Sequence, residues 1–345
     1  MKNRVVIITC YIGSFPEWIT LWIQSCGYNG DFDFVMYTDQ SVNCDLPNNL
    51  KIISTTLADL KNKFSKVLGF ECKLDNAYKL CDYKVLYGLA FQDVVSNYDF
   101  WGHCDVDLIF GHLAHFIDDN ILDNFDRIFE VGHLSLYRNN DVNNNLYKEP
   151  FGMYGYHTVF LNRDCMGFDE HTGITRIYRT KGIPVYNKVI CADIDPHYRM
   201  FVCMDEDTVD GEVVVSNNKH QIFGIENGQA YRYYISELNG MVERQEVSYI
   251  HFMRKHPTNA ESCLTSKKYC ITYKEFVPFS EDVNEKFILN HDYAVDGIEK
   301  NIEYIMEFVR NGLRAMNNGK FMLRLKLRVG RIRSISAFDS INSTR

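Results

Sequence analysis

The chain has 345 residues, of which 46% are hydrophobic and 24% charged, the composition of a globular protein with one large or two small domains. Its formal net charge of -8 argues against a general nucleic-acid binder, which needs a basic face to neutralise phosphates. An anionic ligand would have to be held by a metal ion or by a few placed lysines and arginines.

Cysteine usage and hydropathy restrict the compartment. The eleven cysteines contain no Cys-x-x-Cys pair, which indicates thiols in a reducing compartment. The apolar run over 5–12 is short and leads to Gly-Ser-Phe-Pro-Glu, so it predicts a buried strand rather than a signal peptide. No stretch approaches the roughly 18 apolar residues of a membrane span. We predict a cytoplasmic protein, with peripheral attachment to the inner face of the cytoplasmic membrane as an alternative.

The first 110 residues alternate predicted strands with predicted helices. Apolar, β-branched runs predict strands over 4–10, 33–38, 50–55 and 98–102. Apolar residues at helical spacing predict helices over 16–26 and 76–95. This alternation predicts an α/β fold with a mixed, mainly parallel sheet flanked by helices. Ligands of such sheets bind at the carboxyl ends of the strands, so we expect Thr9, Tyr11 and Asp39 to lie at one ligand-binding edge.

Beyond residue 130 the pattern is mixed. Short apolar runs at 133–137, 158–161 and 246–252 lie between polar loops and suggest a second half built around the same sheet. Residues 296–316 carry apolar side chains near helical spacing, which predicts a C-terminal amphipathic helix.

The segment with the most chemical information is Trp101-Gly-His-Cys-Asp105-Val-Asp107. It follows a predicted strand, and residues two apart in an extended segment point the same way. Two such carboxylates, with no Lys or Arg nearby in the sequence, are costly unless a cation joins them, and hard divalent cations prefer oxygen ligands. Asp105 and Asp107 are therefore predicted ligands of Mn²⁺ or Mg²⁺, which can neutralise the charge that develops on a departing diphosphate.

Other segments accompany this one: Tyr78-Lys79-Leu-Cys-Asp82-Tyr-Lys84, the opening Ile-Ile-Thr-Cys-Tyr-Ile-Gly-Ser-Phe-Pro-Glu-Trp, and Leu136-Tyr-Arg138-Asn139. Together they resemble a group of bacterial glycosyltransferase-like proteins of the GT-A type from surface-polysaccharide loci. The resemblance covers roughly residues 4–256. It implies a GT-A-like, Rossmann-like fold and transfer of a sugar from a nucleotide-sugar.

The resemblance also implies residue roles. In GT-A enzymes an aspartate in the helix before the Asp-x-Asp strand helps to bind the nucleotide, and Asp82 matches that position. Lys79 and Lys84 would then contact phosphate or ribose, and Arg138 and Asn139 would contact the donor sugar. The alternative for the helical residues is that they are ordinary exposed charges.

A late histidine completes the metal site in many GT-A enzymes, followed by a basic residue that meets the diphosphate. The segment Ser248-Tyr-Ile-His251-Phe-Met-Arg254-Lys255-His256 is similar. It implies His251 as the third metal ligand, with His256 as the alternative, and Arg254 or Lys255 as the phosphate contact. A neutral imidazole beside two carboxylates suits manganese.

Sugar transfer needs a base opposite the donor for inversion, or a group that stabilises an oxocarbenium-like centre for retention. The carboxylate candidates are Asp169-Glu170 and Asp205-Glu206. Asp169 and Glu170 could equally be acidic residues favoured at the start of a helix. Asp193 and Asp195 are further candidates that the sequence does not rank.

We therefore expect a GT-A-like domain over 1–260, with a nucleotide-binding half over 1–130 and an acceptor half over 131–260. A helical extension over 261–317 and a basic tail over 318–345 follow. The expected partners are a UDP-linked sugar donor and a polysaccharide or lipid-linked oligosaccharide acceptor.

Two other functions stay open: a non-catalytic carbohydrate-binding protein with the same fold, and a metal-dependent phosphoryl transferase. The tail itself mixes basic and apolar residues, which is typical of contact with an anionic membrane surface. A disordered tail or an added strand is the alternative for it.

Overall fold

The computed structural model describes residues 1–194, 201–204, 215–252 and 257–292, which belong to one compact unit. The strands are β1 (Val5–Tyr11), β2 (Phe32–Thr38), β3 (Leu50–Ser54), β4 (Phe100–Cys104), β5 (Leu108–Phe110), β6 (Arg127–Val131), β7 (Leu134–Arg138), β8 (Val185–Tyr186), β9 (Cys191–Ile194), β10 (Phe201–Met204), β11 (Val215–Ser216), β12 (Gln221–Glu226), β13 (Gln229–Ile235), β14 (Val242–Val247), β15 (Tyr249–His251), β16 (Lys268–Ile271) and β17 (Phe276–Pro278).

The α-helices are α1 (Ile19–Gly27), α2 (Leu57–Leu68), α3 (Leu80–Tyr83), α4 (Tyr87–Ala90), α5 (Gln92–Val95), α6 (Asp119–Asn124), α7 (Asp141–Asn145), α8 (Tyr156–Phe160), α9 (Ile174–Lys181) and α10 (Glu285–His291). Short 3₁₀ turns cover Ala77–Lys79, Lys84–Leu86, Leu113–His115, Leu146–Lys148 and Ala260–Cys263. The protein is therefore a mixed α/β structure, as the sequence predicts at this coarse level.

The first sheet has the strand order β3-β2-β1-β4-β7-β6-β8. Strands β3, β2, β1 and β4 run parallel, whereas β7 is antiparallel to both β4 and β6. The carboxyl ends of β1, β2 and β4 therefore meet at one side of the sheet, which we call the carboxyl edge. This edge contains Tyr11, Thr38 and Cys104, and the Asp-x-Asp segment begins immediately after it.

Both faces of the first sheet are covered. Val5 and Ile7 of β1 pack into a cluster with Trp22 of α1, whereas Val6 and Ile8 pack on the opposite side with Phe64 of α2. This alternation follows from the period of two in a strand. It explains why β1 opens with four consecutive apolar residues over 5–8 rather than with an alternating pattern.

The segment predicted as one helix over 76–95 is instead a series of short turns and helices. The backbone leaves helical geometry at Phe91, with φ -116° and ψ 40°, and the buried Phe91 ring stacks on Tyr37 with ring centroids 4.3 Å apart. Residues 82–88 are buried on every side, so apolar residues recur at helical spacing although the backbone is not one continuous helix.

The remaining strands form two further sheets, so the expectation of a second half built around the same sheet holds only in part. The second sheet has the order β11-β10-β9-β15-β5 and the third, wholly antiparallel, has the order β14-β13-β12-β16-β17. Only β6, β7 and β8 of the later chain join the first sheet among the described residues. The chain crosses from β4 in the first sheet to β5 in the second through Asp105–Asp107, which places this segment at their junction.

None of the eleven cysteines, all of which are described, forms a disulfide, and seven are buried. Within the described ranges, no helix is both long and apolar enough to cross a bilayer. The predicted helix over 296–316, the tail over 318–345 and the candidates Asp195, Asp205, Glu206, Arg254, Lys255 and His256 lie outside the described residues.

Candidate metal centre

Three hydrogen bonds hold the backbone of the Asp-x-Asp segment in place. Asp105 N donates to the carbonyl of His133 (3.0 Å), and the carbonyl of Asp107 accepts from Phe252 N (2.9 Å). The carbonyl of Val106 accepts from the Trp18 indole (2.8 Å). The side chains of Asp105 and Asp107 keep 34% and 19% of their surface exposed, so both can reach a ligand.

His251 joins the two carboxylates because β15 pairs with β5, with His251 opposite Leu108. Asp105, Asp107 and His251 each offer a ligand atom, and the three atoms lie within 4.8 Å of one another. His251 Nε2 is 3.6 Å from Asp107 Oδ1. The structure thus brings together the three residues that the sequence predicts as metal ligands.

The His251 ring is fixed from two sides. Its Nδ1 lies 2.7 Å from Asp193 Oδ1 on β9, and the His133 ring stacks on it with centroids 4.0 Å apart and an interplanar angle of 20°. Burial alone would lower the pKa of His251, but the carboxylates of Asp193 and Asp107 outweigh it and raise the pKa to about 10. Burial lowers the pKa of His133 to about 3, helped by the neighbouring His251, so His133 stays neutral.

Lys84 is a buried cation beside the carboxylates. Its Nζ lies 2.7 Å from Asp105 Oδ1, 3.2 Å from Asp169 Oδ2 and 2.7 Å from the carbonyl of Gly132. Burial would lower the pKa of Lys84, but Asp105 and Asp169 reverse this and raise it well above its usual value. The predicted phosphate contact therefore already neutralises protein carboxylates.

Asp169 and Glu170 lie close to this lysine but differ in exposure. Asp169 is only 2% exposed, and its Oδ1 has no hydrogen-bond partner among the described residues. Burial raises the pKa of Asp169 above its usual value, although Lys84 opposes the shift. Glu170 is exposed and packs against Gly132, where a Cβ atom would overlap its carboxylate.

Tyr11 and Asp39 both lie at the carboxyl edge, as predicted. Tyr11 is partly exposed and stacks on Phe15 with centroids 5.6 Å apart; burial, with Asp107 and Asp39 nearby, raises its pKa. Asp39 is exposed and accepts from Gly13 N (2.9 Å), a bond that lowers its pKa. Gly13 has φ 112°, a region that favours glycine.

Thr9 is at the same edge but not available to a ligand, so its predicted binding role is wrong. The residue is 3% exposed, and its hydroxyl donates to the carbonyl of Cys104 (3.0 Å). The hydroxyl joins β1 to the end of β4, immediately before Asp105.

Lys79 and Asp82 are also not ligand contacts. Both side chains are fully buried and form an ion pair at 2.7 Å. Asp82 accepts from the backbone N–H groups of Met166 (2.9 Å) and Phe168 (2.8 Å), while Lys79 donates to the carbonyls of Val159 and Asp164, both at 2.8 Å. The pair holds the loop that leads to Asp169, and neither the nucleotide role nor the exposed-charge alternative fits it.

Arg138 and Asn139 lie at the amino end of β4, opposite the carboxyl edge. Because β7 runs antiparallel to β4, Arg138 pairs with Phe100 at the start of β4 rather than with its carboxyl end. Arg138 binds the Asp126 carboxylate (2.9 Å), and Asn139 donates to the carbonyls of Val95 (2.7 Å) and Tyr98 (2.9 Å). Their predicted contact with the donor sugar is therefore wrong.

The antiparallel direction of β7 also brings His133 to the candidate metal centre. It precedes β7, opposite the end of β4, and sequence reasoning did not select it. Asp193 was one of two candidates, with Asp195, that the sequence did not rank. No local motif marks either residue, because their position depends on the β6–β7 turn and on the pairing of β9 with β15.

The donor set of Asp105, Asp107 and His251 fits a divalent cation. Two carboxylate oxygens and one imidazole nitrogen suit manganese, and three protein ligands leave coordination positions for a ligand or water. His133, Asp193 and His251 form a second group within 4.8 Å. That group fits less well, since His133 Nε2 already bonds the Tyr249 hydroxyl (2.9 Å) and Asp193 bonds His251.

Residues 7–280 match a protein family described as a family of unknown function, DUF6625. The chain belongs to this family. No curated protein matches the chain at a significant level. All three candidate ligands of this DUF6625 protein fall inside the matched region, whereas the predicted basic tail lies outside it.

Proposed function

We propose that this DUF6625 protein is a metal-dependent glycosyltransferase with a GT-A-like fold. It would move a sugar from a nucleotide-sugar, with UDP as the nucleotide, to a bacterial surface-polysaccharide or lipid-linked acceptor. The observation that carries the proposal is the convergence of Asp105, Asp107 and His251 immediately beyond the carboxyl ends of the parallel strands of the first sheet. Ligands of open α/β sheets bind in this position.

Each of the three residues would supply one ligand atom to the cation. Asp105 and Asp107 supply charged oxygen atoms from the junction of two sheets, and His251 supplies a nitrogen atom from the second sheet. A bound Mn²⁺ or Mg²⁺ would offset the charge on the departing nucleoside diphosphate. Tyr11 and Asp39, which lie along the same edge, are the proposed contacts of the nucleotide.

Lys84 has a role in this proposal that differs from a direct phosphate contact. Its ammonium group offsets the charge of Asp105 on one side and of Asp169 on the other. Without it, the carboxylates of Asp105 and Asp169 would lie near each other with no counter-charge, and their mutual repulsion would oppose a compact site. Lys84 therefore supports the ligand geometry from within the protein.

Of the two candidate catalytic carboxylates, Glu170 is the better one. A group that accepts a proton from an acceptor hydroxyl must be reachable by the acceptor, and Glu170 is exposed. Asp169 is enclosed and tied to Lys84. We therefore assign Asp169 a supporting role and Glu170 the contact with the acceptor.

The test measures UDP binding and UDP release from a panel of UDP-sugars, with and without Mn²⁺. We expect Mn²⁺-dependent UDP binding and slow hydrolysis of at least one UDP-sugar. Asp107→Asn should lose both while remaining folded. Asp282→Asn is the matched control, because Asp282 is a fully exposed acid in the 3.5 Å pair with Lys268, and it should retain both.

Three results would contradict the proposal. Equal UDP binding by Asp107→Asn would remove the metal centre from nucleotide recognition. Cleavage confined to phosphate esters or anhydrides, with the sugar bond left intact, would favour a metal-dependent phosphoryl transferase. Glycan binding without any nucleotide binding would favour a non-catalytic carbohydrate-binding protein.

A further inference from the structure

Asp193 lies directly behind His251, on the side away from Asp107. Its Oδ1 is 2.7 Å from His251 Nδ1, while His251 Nε2 faces Asp107 Oδ1 at 3.6 Å. Its position is set by the backbone, because β9 pairs with β15 through Ala192 and Ile250. The carboxylate also accepts from Ile194 N (2.7 Å), which restrains it further.

A carboxylate in this position decides which nitrogen of an imidazole is the donor atom. With Nδ1–H donated to Asp193, a bound metal ion would take the place of the proton on Nε2, the atom that faces the Asp-x-Asp carboxylates. The negative charge of Asp193 also makes Nε2 a stronger electron donor. The stacked His133 ring, 4.0 Å away, restricts rotation of the His251 plane.

We propose that Asp193 is the positioning residue that makes His251 a metal ligand, and that it gives the site a preference for Mn²⁺ over Mg²⁺. This inference rests on the proposed metal-dependent function and adds the origin of the metal preference. Imidazole nitrogen is a good ligand for transition metals, whereas Mg²⁺ prefers oxygen atoms and retains its waters. A site that loses its nitrogen donor keeps two carboxylates, which distinguish the two ions poorly.

The experiment compares the affinities of the full chain for Mn²⁺ and Mg²⁺, with and without UDP. Mn²⁺ binding is followed by electron paramagnetic resonance, and Mg²⁺ binding by its competition with Mn²⁺. In Asp193→Ala we expect Mn²⁺ affinity to fall by about 10–100-fold. Mg²⁺ affinity should fall much less, so the ratio of Mn²⁺ affinity to Mg²⁺ affinity should also fall.

The chain offers a matched control in a second His–Asp pair. His220 Nδ1 and Asp292 Oδ2 are 2.8 Å apart, and these residues flank β12 and α10 rather than the metal centre. Asp292→Ala removes the same kind of contact and should leave both metal affinities unchanged. Asp193→Asn keeps the shape of the side chain without its charge, and serves if Asp193→Ala does not fold; it too should lower the Mn²⁺/Mg²⁺ ratio.

Two outcomes overturn the inference alone: wild-type metal affinities in a folded Asp193 variant, or equal losses for Mn²⁺ and Mg²⁺, which indicate a general charge effect. If the wild-type chain binds neither ion even with UDP, the proposed function fails, and the inference that rests on it fails too. The wild-type measurement therefore separates the two failures.

Discussion

Lys84 Nζ lies 2.7 Å from a carboxylate oxygen of Asp105, so a buried ammonium group is in direct contact with one of the candidate metal ligands. The same nitrogen is 3.2 Å from Asp169. Lys84 comes two residues after Asp82, which holds the loop that ends at Asp169. Lys84 therefore links the candidate metal site to the loop that Asp82 holds.

Removing this cation should destabilise the protein. Lys84→Met leaves Asp169 buried beside Asp105 without a counter-charge, and breaking a buried pair in this way costs on the order of 3 kcal/mol of the free energy of unfolding. Denaturant-induced unfolding measures the loss. The double variant Lys84→Met/Asp169→Asn should recover part of it, because no uncompensated buried carboxylate remains at 169. A double variant less stable than Lys84→Met would contradict this account.

Asp82 should prove to be a structural residue. Asp82→Asn removes the charge that pairs with Lys79 and accepts two backbone N–H groups, so we expect the free energy of unfolding to fall by roughly 3 kcal/mol. Hydrogen exchange should accelerate at the amides of Met166 and Phe168. The matched control is Asp75→Asn, which breaks the exposed pair of Asp75 with Arg163 (3.1 Å) and should change neither quantity. Lost UDP affinity with unchanged stability and exchange would instead restore a nucleotide role for Asp82.

Arg138 should contribute to the stability of the protein and not to binding of the UDP-sugar donor. Arg138→Ala loses hydrogen bonds to Asp126 and to the carbonyls of Leu122 and Phe125, so the free energy of unfolding should fall by about 1–2 kcal/mol. Its UDP affinity in Mn²⁺, measured by calorimetry, should equal that of the wild type. Tyr11→Leu, at the carboxyl edge, should show the reverse pattern, with weaker UDP binding in a stable protein. A tenfold loss of UDP affinity in a stable Arg138→Ala protein would show that this assignment is wrong.

The sequence predicted the parallel part of the fold because its signals are local. A buried β-branched run followed by an amphipathic helix favours a βαβ unit, and the rule for strand ends then places Tyr11, Asp39 and Asp105 at one edge. His251 followed from a resemblance to a family pattern, and the pairing of β15 with β5 accounts for its position.

The wrong predictions concern residues whose access to the site depends on the direction of a strand or on the burial of a side chain. An apolar run does not show the direction of its strand. Arg138 and Asn139, which follow β7, were expected to contact the donor sugar, but His133, which precedes β7, is the residue that lies at the carboxyl edge. The sequence spacing of an ion pair, such as the three positions that separate Lys79 from Asp82, is the same whether the pair is exposed or buried. The third sheet was missed because its antiparallel pairings join segments without a distinctive local motif.

The most direct test of the central claim is the location of Mn²⁺ in crystals of the full chain grown with Mn²⁺ and UDP, found from anomalous scattering. The account predicts a single strong peak at the carboxyl edge, within about 2.5 Å of ligand atoms of Asp105, Asp107 and His251. Crystals of Asp107→Asn prepared in the same way should lack it. The absence of the wild-type peak, or a peak among His133, Asp193 and His251 instead, would contradict the proposed metal centre.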